Sequence, residues 1–304
     1  MRRKTSLSKQ AWGVVFAVAG GICGGLSGIC SQYLFTGWTV DPLWAACIRL
    51  LASGAVLTFT ALPRQRRELV RLAGQPGELL RLLCVGIGLM LCQSAYLNAI
   101  SWTNAATATV LQNVSLVLIM LAVCAAARRL PGVGEGVSLV LAVLGTWLLA
   151  TGGNPRQLIL VPQGLLWGLT SAVAVALYMV LSGDLLTRWG QQVIIGPGML
   201  LGGLILAVLS RPWERAAALP PLGWAAVAGI VLGTVLSFSL IMRGMASIGP
   251  VRTSMMAASE PVTAAVLASL WLRTRFSPAD LLGFACIVAT IFLLAKPEKT
   301  AGKD

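Results

Sequence analysis

The 304-residue chain has no histidine, only ten acidic residues against 23 lysines and arginines, and 11% charged side chains in all. Each shortage excludes something. Without histidine there is no serine–histidine or cysteine–histidine nucleophile, no His-ligated zinc or haem, and no ordinary proton shuttle near neutral pH. Ordinary soluble domains carry about 25% charged and roughly 45–50% apolar residues. Here 57% of residues are hydrophobic and the mean hydropathy is +0.83, which excludes a soluble single domain. The stretches 11–40 and 82–127 contain no Asp, Glu, Lys or Arg, so they need lipid or a partner helix around them.

The cysteines are seven, an odd number: Cys23, Cys30, Cys47, Cys84, Cys92, Cys124 and Cys286. All lie in apolar runs without a CxxC pair, so they read as small packing residues, with neither a disulfide framework nor a metal site implied. No cofactor is expected. The net charge of +13 does not point to nucleic acid, because the basic residues form short clusters between apolar runs and do not mark one binding face. Such clusters are topology signals of a membrane protein.

A membrane-spanning helix needs about 20 mostly apolar residues. Ten windows satisfy this, near 11–36, 42–62, 79–101, 104–127, 133–152, 162–187, 191–210, 221–244, 249–272 and 278–296. The first follows a basic start that imitates a signal peptide, but its apolar run is too long for one and no clean cleavage site follows, so it is kept as a span. With the N-terminus in the cytoplasm, 17 of the 23 basic residues fall on that side, five (Arg156, Arg211, Arg215, Arg273 and Arg275) fall on the other, and Arg49 lies inside the second span. The bias predicts a multi-pass protein of the cytoplasmic membrane with both termini inside. The Arg-rich connector 63–81 reads either as a short helix on the inner leaflet or as a solvated loop.

An offset of 145 superposes Asn104 on Gly249, Ser115 on Glu260 and Arg128 on Arg273, and is close to the 151 residues that separate the first span from the sixth. Five spans per repeat, an odd number, turn the second copy upside down. The expected architecture is therefore all-α, with ten transmembrane helices in two inverted repeats, 1–155 and 156–304, around a central cavity where cargo binds near the midplane.

An ionisable side chain at membrane depth costs about 2.5–3.5 kcal/mol on insertion scales, so each asks for an explanation. Two qualify. Glu260 lies mid-span and precedes Pro261, which removes a backbone donor and leaves a carbonyl one turn earlier unpaired. A carboxylate beside opened backbone can bind a proton, a cation or an ammonium group, and in a chain without histidine it is the candidate coupling residue, with protons as a candidate coupling ion. The alternative is a neutral glutamate hydrogen-bonded to a neighbouring helix. Arg49 could pair with a cargo carboxylate, with Glu260 or with helix-end carbonyls; the reading preferred from sequence is snorkelling to the outer surface as a fold-holding residue.

Uncharged polar and aromatic residues form stripes. The sixth span carries Trp167, Ser171, Tyr178 and Ser182 on one face; the third offers Gln93 and Tyr96, the fourth Gln112 and Asn113, and the eighth Ser237. Together the amides and aromatics suggest a polar cavity with an aromatic wall, although single hydroxyls are as readily interhelical glue. Glycines at Gly20, Gly24 and Gly28, and at Gly229 and Gly233, recur every four residues and permit close helix approach.

The run Gly249-Pro250-Val251-Arg252, then Ser259-Glu260-Pro261-Val262, entered from Gly229 and Gly233-Thr234, resembles the second repeat of EamA-type transporters of the drug/metabolite transporter superfamily. The first repeat matches more loosely: Leu116 stands where a proline is common, so the two repeats need not bend alike. Arg49 sits where members often have an arginine. The resemblance implies ten helices, a cavity lined by helices 1, 3, 4, 6, 8 and 9, and secondary transport, often export, of amino acids, other metabolites, drugs or quaternary amines. An exporter of an amino acid or related compound is the leading expectation, and a carrier of quaternary amines or cationic drugs the second. A membrane-embedded lipid-modifying enzyme lacks a catalytic constellation, and a channel lacks rings of like charge. The sequence carries no signal of oligomeric state.

Overall fold

The computed structural model describes residues 2–154, 157–214 and 219–294, and among these the chain is an all-α membrane protein. Its helices are α1 (Arg2–Gly37), α2 (Pro42–Ala73), α3 (Pro76–Trp102), α4 (Ala105–Asn113), α5 (Ser115–Ala126), α6 (Val133–Thr151), α7 (Pro162–Trp189), α8 (Gln191–Ser210), α9 (Pro221–Ile248), α10 (Pro250–Ala257), α11 (Ser259–Leu270) and α12 (Pro278–Leu294). Half of them begin at proline, which is tolerated in a first turn because its missing N–H has no helical partner there. Asp41 and Asn104 cap their helices by accepting from the backbone N–H groups of Leu43 and Thr107, each at 2.8 Å.

Eight stretches among the described residues are long and apolar enough to cross a bilayer, α4 and α5 counting as one, and α12 is a shorter apolar helix. The fourth and ninth sequence windows are each broken once, at Val114 and at Ala258. At both breaks the amide bonds three residues back, Val114 to Leu111 at 3.1 Å and Ala258 to Met255 at 3.3 Å, so each helix tightens for a turn before continuing. Pro261 lies just past the second break, while the first break forms without a proline, so both helices are interrupted at matching places although only one carries a proline there.

The connector 63–81 is helical and not a loop: after Pro63 the backbone leaves helical geometry at Gln65 (φ −129°, ψ 21°), a short helix continues to Ala73 with Leu72 buried in the core, and α3 begins at Pro76. Lys296, Lys299, Lys303, Arg156 and Arg215, all used to predict topology, lie outside the described residues.

The helices pair across the two halves of the chain: α1 lies on α9 and α11, α3 on α7 and α8, α2 on α8, and α6 on α12. Small residues make these approaches. A Cβ on Gly233 would stand 2.9 Å from the Cys23 carbonyl oxygen, and one on Gly145 2.8 Å from that of Gly283, so these helices touch backbone to backbone. The opposite faces carry side chains such as Val208 and Leu270, 73% and 75% exposed, which suit lipid.

Candidate functional site

At the centre, α1, α2, α3, α4, α5, α7, α8, α9 and α11 enclose a cavity of about 300 Å³. Seven of the side chains expected to form a site line it, Gln93, Tyr96, Gln112, Asn113, Tyr178, Ser237 and Glu260, and Arg49 joins them. They come from six helices, and their convergence follows from the cross-half pairing. The rest of the wall is mostly apolar and sulfur-rich, with Leu89, Val175, Met179, Phe238, Met242 and Met245, joined by Ser115, Gln191 and Thr234.

Glu260 enters at the second residue of α11, directly after the break. It is half-buried, and its carboxylate lies over Gly24 so closely that a Cβ there would stand 2.8 Å from Cδ. The backbone around it is pinned to α1, because Ser259 Oγ donates to the Val18 carbonyl at 3.0 Å. The glycine run of α1 thus opens the space that Glu260 fills. One turn on, Gly28 makes room for the Tyr96 hydroxyl, 2.9 Å from where its Cβ would be.

Arg49 does not snorkel. It is 8% exposed, its guanidinium carbon lies 5.5 Å from the centroid of the Tyr96 ring, and Nε and Nη1 have no hydrogen-bond partner. The reason is register: Arg49 lies on the inward face of α2, between buried Cys47 and Ser53, whose side chains reach the carbonyls of Gly203 at 3.7 Å and Val231 at 3.5 Å. Those contacts with α8 and α9 hold that face to the protein interior. Arg49 and Glu260 line one cavity, yet no ion pair joins them among the described residues.

Tyr96 is held by a hydrogen bond of 2.8 Å between its hydroxyl and Thr109, which itself donates to the Ala105 carbonyl at 2.7 Å. Gln112 donates to Ser171 Oγ at 2.6 Å and to Cys92 Sγ at 3.4 Å, while Ser171 donates to the Cys92 carbonyl at 3.4 Å. Ser171 is therefore one layer behind the cavity, orienting an amide that lines it. Trp167 is partly buried against the core and is not in the cavity wall, and Pro261 lines a separate apolar crevice with Val110 and Phe284. In the sequence Gly24 and Cys92 read only as packing residues, and Gln191 and the methionines carry no mark of a site. Gly24 stood in the glycine stripe, but nothing in one sequence says which partner a glycine admits.

One end of the cavity reaches Leu186, Gln191 and Met245, at the ends of α7, α8 and α9. Side chains tie helix ends together there: Gln191 Nε2 lies 3.3 Å from Met245 Sδ, Gln65 donates to Gln192 at 2.9 Å, and Glu78 meets Arg188 at 3.4 Å and Arg81 at 3.6 Å. Further along α1, one turn beyond Gly28, Gln32 accepts from the Ala105 amide at 2.9 Å and donates to Thr274 at 3.2 Å, and the neighbouring Tyr33 stacks on Trp271.

The EamA-like transporter family model matches residues 11–151 and again residues 162–296. The "uncharacterized inner membrane transporter YicL" of Salmonella typhimurium is 31% identical over 284 residues, which span 93% of this chain and 95% of that protein. A solved crystal structure is similar over 94% of this chain and 97% of its own, with a TM-score of 0.63 at 20% identity, a likeness of fold. Two family matches that together span most of the chain, on a bundle with a polar central cavity, make this chain a member of the EamA-like transporter family.

Proposed function

We propose that the protein is a secondary active transporter, without enzymatic activity, that exports a small organic metabolite, an amino acid or a related compound, by alternating access. The observation that carries the reading is Glu260, a carboxylate placed in a 300 Å³ central cavity by a break in its helix. Broken helices that present charge and opened backbone at a central site are the usual construction of carriers. In this reading Glu260 binds the proton or the cationic group of the cargo, and Gln93, Tyr96, Gln112, Asn113, Tyr178 and Ser237 supply the surrounding contacts, with Ser171 behind them.

The two halves, 1–155 and 156–304, are read as inverted repeats. Supporting this, α1 on α9 and α7 on α3 are equivalent pairs under a five-span shift, while α2 on α8 and α6 on α12 map onto themselves. Arg128 and Arg273, 145 residues apart, also share a left-handed backbone, with φ of 50° and 52°. In this reading both termini lie in the cytoplasm, and the gathering of Arg64, Arg81, Arg188 and Arg243 towards one end of the bundle supports it.

Purified protein in proteoliposomes provides the test: an imposed pH gradient should drive accumulation, and Glu260→Gln should abolish pH-driven flux while leaving the protein folded. Unchanged flux and pH dependence in Glu260→Gln would remove the residue from the mechanism. A carrier of quaternary amines is the second reading, favoured by the two tyrosines facing the same cavity as the carboxylate.

A further inference from the structure

The coupling role given to Glu260 leaves a second charge unexplained. Arg49 is more than nine-tenths buried, and it lines the same cavity. Two of its nitrogens have no hydrogen-bond partner, and no carboxylate forms an ion pair with it among the described residues. The Tyr96 ring lies within cation–π range at 5.5 Å, but a ring face accepts no N–H bonds in the guanidinium plane. A buried guanidinium is normally paired and hydrogen-bonded, because its removal from water is otherwise uncompensated. The surroundings also hold it in place. Tyr96 is tied through Thr109, and α2 is fastened on either side of Arg49 by Cys47 and Ser53.

We propose that Arg49 is the anion-binding residue of the transport site, receiving a carboxylate of the cargo in a bidentate pair. The inference rests on the transport reading and deepens it. A planar fork of N–H donors matches a carboxylate in geometry as well as charge, which an ammonium point charge does not. With Glu260 in the same cavity, the complementary solute is small and carries both an anionic and a cationic group, on an apolar body that Leu89, Val175, Met179 and Phe238 receive. Cations that lack an acidic group, quaternary amines among them, leave Arg49 unpaired and are disfavoured. Arg49 thereby separates the two cargo classes that the aromatic wall alone leaves open.

The test is binding to purified, detergent-solubilised full-length protein, read by thermal shift and by equilibrium titration. The probes are L-phenylalanine and L-leucine, their carboxylate-free analogues phenethylamine and isoamylamine, and the amine-free 3-phenylpropionate. Wild type should be stabilised by at least one carboxylate-bearing probe and bind it at least about tenfold more tightly than the matching amine. Arg49→Gln should abolish that preference, and Arg49→Lys should retain charge and fold yet bind the carboxylate probe about tenfold more weakly, with amine binding unchanged. Arg49→Lys decides the matter if Arg49→Gln fails to fold. The proposal is overturned if no carboxylate probe stabilises wild type at tens of millimolar, if the amines bind as well as the acids, or if either variant keeps the wild-type preference. Counterflow of the bound probe in proteoliposomes separates the two ideas: Arg49-dependent binding without movement across the membrane would sink the transport reading and leave the anion site standing.

Discussion

Replacing Gly24 by alanine isolates the carboxylate from the scaffold that holds it. The added Cβ would stand 2.8 Å from Cδ of Glu260 and 3.0 and 3.1 Å from its oxygens. Ordinary contact starts near 3.4 Å, so the carboxylate must retreat by about 0.6 Å or more, a move that a glutamate makes by rotating its own side chain. Helix α1 itself gains roughly 0.5–1 kcal/mol from losing a mid-helix glycine. Stability should therefore stay within about 1 kcal/mol of wild type. Transport should fall by about tenfold or more, because misplacing a reacting group by about 1 Å can cost 10²-fold in an enzyme site, and a coupling carboxylate is under the same positional demand. Gly233→Ala is the control. Its Cβ would meet the backbone of α1, 2.9 Å from the Cys23 oxygen and 3.1 Å from the Ser27 nitrogen, and relief requires α1 and α9 to part. Overpacking of that kind costs about 1–3 kcal/mol. Thermal unfolding in detergent, with flux in proteoliposomes, reads both quantities. A Gly24→Ala protein that transports normally, or that melts as early as Gly233→Ala, would show that the carboxylate position over Gly24 does not matter.

Two further substitutions probe the layers around the cavity. Ser171→Ala removes the 2.6 Å acceptor of Gln112 and should weaken cargo binding by about three- to tenfold without lowering the melting temperature by more than a few degrees; an unchanged affinity would mean that the Gln112 amide does not face cargo. Gln32→Leu removes both links, to Ala105 and to Thr274, leaves the buried Ala105 amide without its acceptor, and should lower the melting temperature in detergent by a few degrees; an unchanged melting temperature would show that these links do not hold α1 to its neighbours.

How much of this was readable without coordinates divides along physical lines. Span positions were legible because a bilayer imposes one length and one polarity on every crossing, and proline and asparagine mark the helix starts at 42, 76, 104, 162, 221 and 278. Seven of the polar lining residues, Arg49 not among them, were legible because amides, hydroxyls and charges are costly against lipid and so turn inward. Trp167 was not resolvable by the same logic: a tryptophan is equally at home against a core or a cavity, and only the packing of α7 on α3 decides. Arg49 was misjudged because snorkelling is the cheap solution for a long side chain near a helix end, and only the anchoring of Cys47 and Ser53 to α8 and α9 shows that this face of α2 looks inward. The break at Val114 has no sequence mark at all, since no proline precedes or follows it.

The separation of Arg49 and Glu260 is the last point of physics. Two opposite charges sharing a low-dielectric cavity would gain most by forming a salt bridge, and a cargo would then have to break it in order to bind. Held on different helices, Arg49 against Tyr96 and Glu260 over Gly24, they feel each other through space without touching. On the proposed reading, a zwitterionic cargo that reaches both groups would gain both attractions on entering, and only in a conformation that keeps α2 and α11 at this spacing. Differential affinity between conformations is what a carrier needs to couple binding to movement. A substitution that let the two residues meet would favour the empty state, so it should raise thermal stability and lower affinity together.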